Sequence, residues 1–158
     1  MKLLRLAAAT LLATAAGFFI HVHYGRGWAN QYVQVQAAAG RLSEIAREPY
    51  PWDVYLLALS TAVIPTAFQV LLYVLIRDKL PGRNDAIKGL WFGALLLAIG
   101  ENLIRIPIMS VAVGNPIDVM LVQSAEAWTI GIVKGLLIGV VSPPLVARLS
   151  ATPRSIED

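Results

Sequence analysis

An apolar run of membrane-crossing length extends from Lys88 to Val113, KGLWFGALLLAIGENLIRIPIMSVAV, and holds Glu101, Asn102 and Arg105 in its middle. About 20 mainly apolar residues suffice for a helix to cross hydrocarbon. A carboxylate or guanidinium at mid-depth costs several kcal/mol unless it is paired or faces a cavity. A chain with this stretch must therefore fold so that other helices shelter those groups.

Three more apolar blocks surround it, joined by two short polar connections and one longer segment at 25–53. The sequence predicts an all-α integral membrane protein with four transmembrane helices in an antiparallel bundle. It forms a single membrane domain over residues 1–158, with spans at about 3–24, 54–76, 88–113 and 124–146. Hydrophobic residues make up 57% of the chain and charged residues 15%, against about 45–50% and about 25% in soluble domains. The net charge of +3 does not point to nucleic acid, because the basic residues sit at the ends of apolar blocks. The chain has no cysteine, which excludes thiolate metal sites and thiol nucleophiles.

The opening MKLLRLAAATLLATAAGFFIHVHYG also has the layout of a secretory signal. An uncleaved first span is the expected reading, since apolar character continues to Val22; cleavage would leave three spans. In the extracytoplasmic segment 25–53, Trp28, Tyr32, Val35, Ala39, Leu42 and Ala46 recur at helical spacing and predict a helical segment, either an additional helix along the membrane surface or an extension of the first span into solvent, ended by Pro49 and Pro51. Pro65 should act as a hinge in the second span, freeing the Thr61 carbonyl. Pro81-Gly82 and Gly114-Asn115-Pro116 mark turns, and Pro143-Pro144 ends the fourth span before a polar tail at 147–158.

Lysine and arginine near span ends set orientation. Lys2 and Arg5, then Arg77, Lys79, Arg83 and Lys88, then Arg148 and Arg154 alternate correctly with four crossings. Both termini are thus expected in the cytoplasm, in a bacterial inner membrane.

Ala94, Ala98, Glu101 and Arg105 fall on one side of a continuous helix, and Pro107 adds a second hinge that frees the Leu103 carbonyl. In the fourth span Gly131, Gly135 and Gly139 form overlapping GxxxG steps around Lys134. Ala94, Ala98 and these glycines are the expected helix-packing residues. Glu101, Asn102, Arg105 and Lys134 are the expected substrate or proton site, with Lys134 close enough in depth to reach Glu101.

His21 and His23, at i and i+2, point to opposite sides of a helix and are expected to anchor the interface rather than share a metal or haem. Asp118 and Glu126 are expected as outer-surface carboxylates. No catalytic motif, metal site or cofactor is expected. The partners are the bilayer, a second copy through the Gly131/Gly135/Gly139 face, or another membrane protein. Two functions fit: a small transporter or channel-like protein using the buried charges, or a non-catalytic membrane subunit or assembly factor in which those charges only fix helix register.

Overall fold

The structure is a computed structural model that describes residues 2–42, 52–100 and 102–142. Glu101, Pro49, Pro51, Pro143, Pro144 and the tail at 147–158 lie outside the described residues. The elements are α1 (Lys2–Arg26), α2 (Trp28–Ala38), α3 (Trp52–Ile76), a 3-10 turn at Arg77–Lys79, α4 (Asp85–Ile99), α5 (Arg105–Ala112) and α6 (Ile117–Val141). Among the described residues there is no strand.

Three helical stretches are long and apolar enough to cross a membrane, namely Leu3–Ala38, Trp52–Lys79 and Ile117–Val141. Their outward faces carry Leu11, Phe19, Leu57, Ile64, Phe68 and Leu75, all exposed. The buried positions include small or hydroxylated residues, such as Ala9, Ala13, Thr14, Thr66 and Ser124, alongside a few large ones, among them Tyr55, Tyr73, Phe92 and Ile138. Large apolar groups turned outward, with small residues where helices meet, is an arrangement expected where the solvent is lipid and close packing drives association. Among the described residues the chain is all-helical, and it is compatible with an integral membrane protein.

α6 packs on α4 along one side and on α1 along another, and α3 leans on α1. Near one end, Ala9 and Ala13 of α1 and Phe92 of α4 meet Val70 and Tyr73 of α3 and Ile138 of α6. The Tyr73 and Phe92 rings touch edge to face at 5.2 Å between centroids. Near the other end His21 of α1 stands 5.5 Å from the Tyr55 ring of α3.

The α4–α6 contact is made by glycines. A Cβ on Gly89 would lie 2.6 Å from the Gly135 carbonyl oxygen, and one on Gly93 would lie 2.6 Å from the Gly131 carbonyl oxygen. Side chains are excluded there, so the two backbones approach directly and gain dispersion contacts along the seam. The Gly131, Gly135 and Gly139 face is therefore occupied within the chain, and a second copy would have to displace α4 to reach it.

The expected continuous helix at 88–113 is divided. α4 starts at Asn84, whose side chain accepts from the Ile87 N–H at 2.8 Å, a standard N-cap. It ends at Gly100, and the Leu103 N–H turns back to the Leu97 carbonyl at 3.3 Å. Glycine disfavours helix continuation. Pro107 then sits in the first turn of α5, where its missing N–H has no intrahelical partner to lose. The residue expected to bend one helix stands instead at the start of the next. Pro65, by contrast, lies inside an unbroken α3.

The first part of the predicted outer helix is present as α2, separated from α1 only by Gly27; it ends at Ala38, before Leu42, and Ala46 lies outside the described residues. The predicted face is rotated, since Trp28 and Val35 are exposed while Ala29 is buried. α2 is pinned to the start of α6, where Asp118 accepts from the Tyr32 hydroxyl at 2.5 Å and pairs with Arg41 at 3.2 Å.

Candidate functional site: a lysine cavity between α1, α3 and α6

Lys134 lies past the middle of α6, with the glycine seam on one side of the helix and α1 and α3 on the other. Its Nζ donates to Thr66 Oγ1 of α3 at 2.9 Å. Thr66 is fully buried, and its own hydroxyl donates back to the Ala62 carbonyl at 2.8 Å. The threonine thus offers Lys134 an oxygen lone pair whose direction its helix fixes. Gly17 makes room on α1, where a Cβ would come within 3.2 Å of Lys134 Cδ.

An ammonium group has three N–H donors. Only the bond to Thr66 is made among the described residues, and no described carboxylate forms an ion pair with Lys134. The side chain borders a cavity of about 200 Å³, together with Thr14, Phe18, His21, Leu59 and Ile130. At the far end of that cavity His21 Nδ1 lies 2.5 Å from Glu126 Oε1, a contact that joins α1 to α6. The cavity is apolar along its walls, cationic at Lys134, and bounded at His21 by an acid–base pair.

The other expected site residues lie elsewhere. Asn102 is exposed, and its carbonyl accepts from Trp128 Nε1 at 3.3 Å. Arg105 is exposed and borders a separate, apolar hollow of about 450 Å³ with Ala98, Ile104, Ile108 and Met109. Ala98 is likewise exposed, so it is not a packing residue in this chain, while Ala94 is half-buried. The described part of the expected network is therefore split, with Lys134 turned towards α1 and α3 and Arg105 on the exposed side of the break after α4.

Comparison with protein-family models, with curated proteins and with solved structures finds no match. What the chain does must be argued from the cavity itself.

Thr14, Thr66, His21 and Glu126 were not among the residues singled out from the sequence as a site. A signal for part of the set is present in α1, where Thr10, Thr14, Gly17 and His21 recur at steps of four, three and four on one face. Thr10 and Thr14 turn their hydroxyls to the carbonyls one turn earlier, at 2.9 and 2.8 Å. They are thereby satisfied within α1 and leave the face free of unpaired donors. The partnership of Glu126 with His21 joins positions far apart in the chain and left no local trace.

Proposed function

We propose that the chain is a four-crossing antiparallel membrane protein that carries a small solute or a proton through the Lys134 cavity. Four crossings require α4, the turn at 100–104 and α5 to make one discontinuous span. The contacts of early α1 and α4 with late α3 and α6 support the antiparallel order. The alternation of lysine and arginine supports cytoplasmic termini in a bacterial inner membrane.

One observation carries the transport reading: a cationic side chain with spare donors among the described residues borders a hollow between α1, α3 and α6. A purely structural charge would be matched by a carboxylate or packed dry, because an uncompensated cation in low dielectric is costly. In this scheme Lys134 holds the solute or sets the charge of the cavity, and His21 with Glu126 exchanges the proton at the opposite end. Purified protein in proteoliposomes, assayed for solute uptake driven by a pH gradient, tests this. Uptake lost in both Lys134→Met and Glu126→Gln, with unchanged insertion, is the expected result; uptake unaffected by either change would refute it.

The second reading is a membrane subunit or assembly factor, and the break after α4 favours it. Gly100, Asn102, Leu103 and Ile104 are exposed, yet irregular backbone at membrane depth persists only where protein or water covers it. A second copy or another membrane protein would supply that cover. Disulfide trapping of Ile104→Cys in native membranes tests for a second copy; a monomer at all oxidant levels would count against self-association there.

A further inference from the structure

We infer that the cavity between α1, α3 and α6 binds a short-chain monocarboxylate, its carboxylate on the Lys134 ammonium and its chain against Phe18, Leu59 and Ile130. The inference rests on the Lys134 cavity being a solute site, and names what that site takes.

The charge comes first. Thr66 uses one of the three ammonium hydrogens, so two remain without an acceptor among the described residues. A carboxylate is the natural acceptor, because charge-assisted bonds of this kind are shorter and about twice as strong as neutral ones. Glu126, which meets the cavity only through its contact with His21, is engaged by that residue.

The walls decide between classes of anion. A halide or phosphate site is built from many converging donors, such as backbone N–H groups at a helix start. Here the walls come from helix interiors, at Thr14, Gly17, Ala62 and Ile130, whose backbone N–H groups lie within regular helix. The hydroxyl of Thr14 is committed to the Thr10 carbonyl. What remains is the Lys134 ammonium facing Phe18, Ala58, Leu59 and Ile130, with His21, held by Glu126, at the other end. A ligand with a single charged end and a short apolar chain matches that division. A volume of about 200 Å³ accommodates several carbon atoms. An α-amino acid would also need an acceptor for its ammonium beside Lys134, and no described carboxylate is there.

The test uses the full-length protein in nanodiscs and follows thermal unfolding by tryptophan fluorescence with increasing butyrate, chloride or alanine. A ligand that binds only the folded state raises the midpoint with concentration. Butyrate is expected to raise it in a saturating manner, with chloride and alanine at least tenfold weaker. Lys134→Met should weaken butyrate by about tenfold or more, as loss of a buried charged hydrogen bond does, and Lys134→Arg should retain part of the response. Ala62→Leu, which narrows the cavity and leaves the lysine, should abolish it even if Lys134→Met fails to fold. No response to butyrate, an equal response in Ala62→Leu, or an equal response to chloride would overturn the inference. Butyrate binding without transport would refute the carrier reading and leave the site standing, whereas uptake of another solute without butyrate binding would refute the site alone.

Discussion

Lys134 of α6 hands a hydrogen bond to Thr66 of α3 over 2.9 Å, and Thr66 passes one on to the Ala62 carbonyl. This relay ties together two helices that otherwise touch little, since α3 packs chiefly on α1. Thr66→Val keeps the shape and removes the acceptor. The lysine then lacks its described partner, and the expected loss is about 1–3 kcal/mol. Thr66→Ser should behave as the native chain. Reversible unfolding in mixed micelles gives the difference, and a valine variant as stable as the serine variant would show that the bond contributes nothing.

The α4–α6 seam makes a sharper prediction. Gly93→Leu must push α4 away from the Gly131 backbone, because even a Cβ would sit 2.6 Å from its carbonyl oxygen. Overpacking of this kind costs about 1–3 kcal/mol or more. Ala98→Leu, at an exposed position on the same helix, should leave the thermal midpoint within about a degree or two of native, as surface changes usually do. Equal effects of the two substitutions would mean that α4 does not meet α6 through its glycines.

His21 and Glu126 should couple. Each single substitution, His21→Ala or Glu126→Ala, removes the same contact, so the double variant is expected to lose less than the sum of the two. Both side chains are partly exposed, at 41% and 29%, which limits the coupling to about 1 kcal/mol or less after solvent screening. Additive losses in a double-mutant cycle would show that the pair is not formed.

How far these features were legible in the sequence differs from helix to helix. The lengths of α1 and α3 follow from their apolar runs, whereas α6 starts at Ile117, ahead of the expected span at 124, because Asp118, Gln123 and Glu126 interrupt the hydropathy without interrupting the helix; the turn at Gly114-Asn115-Pro116 follows from its chemistry, with Gly114 at φ +87°. The 88–113 run is as apolar as the others, but hydropathy does not register a helix break. Gly100 and Pro107 are each tolerated inside a membrane helix; together they frame a turn. The Gly131, Gly135 and Gly139 face is expected from sequence to meet a second copy, with Ala94 and Ala98 as the packing residues of the third span, although Gly89 and Gly93, which meet that face, repeat the same four-residue step.

The site was legible only in part. Lys134 stands out in any hydropathy reading, and its direction follows from its place beside Gly135. Once that glycine face meets α4, the lysine must turn towards another neighbour. Which neighbour depends on tertiary contact, and a lone Thr66 after Pro65 gives no hint of it. Glu126 and His21, read separately, look like interface residues; only the fold places them at one end of a cavity.

Because the chain contains no native cysteine, introduced thiols report without background. Ala62→Cys would stand in the cavity wall beside Lys134, and Ile64→Cys on the exposed apolar face of the same helix. Labelling both in intact membranes with a small, charged, membrane-impermeant thiol reagent measures directly whether water reaches the space between α1, α3 and α6. The account predicts modification at position 62 and none at 64; modification at 64 with protection at 62 would contradict it.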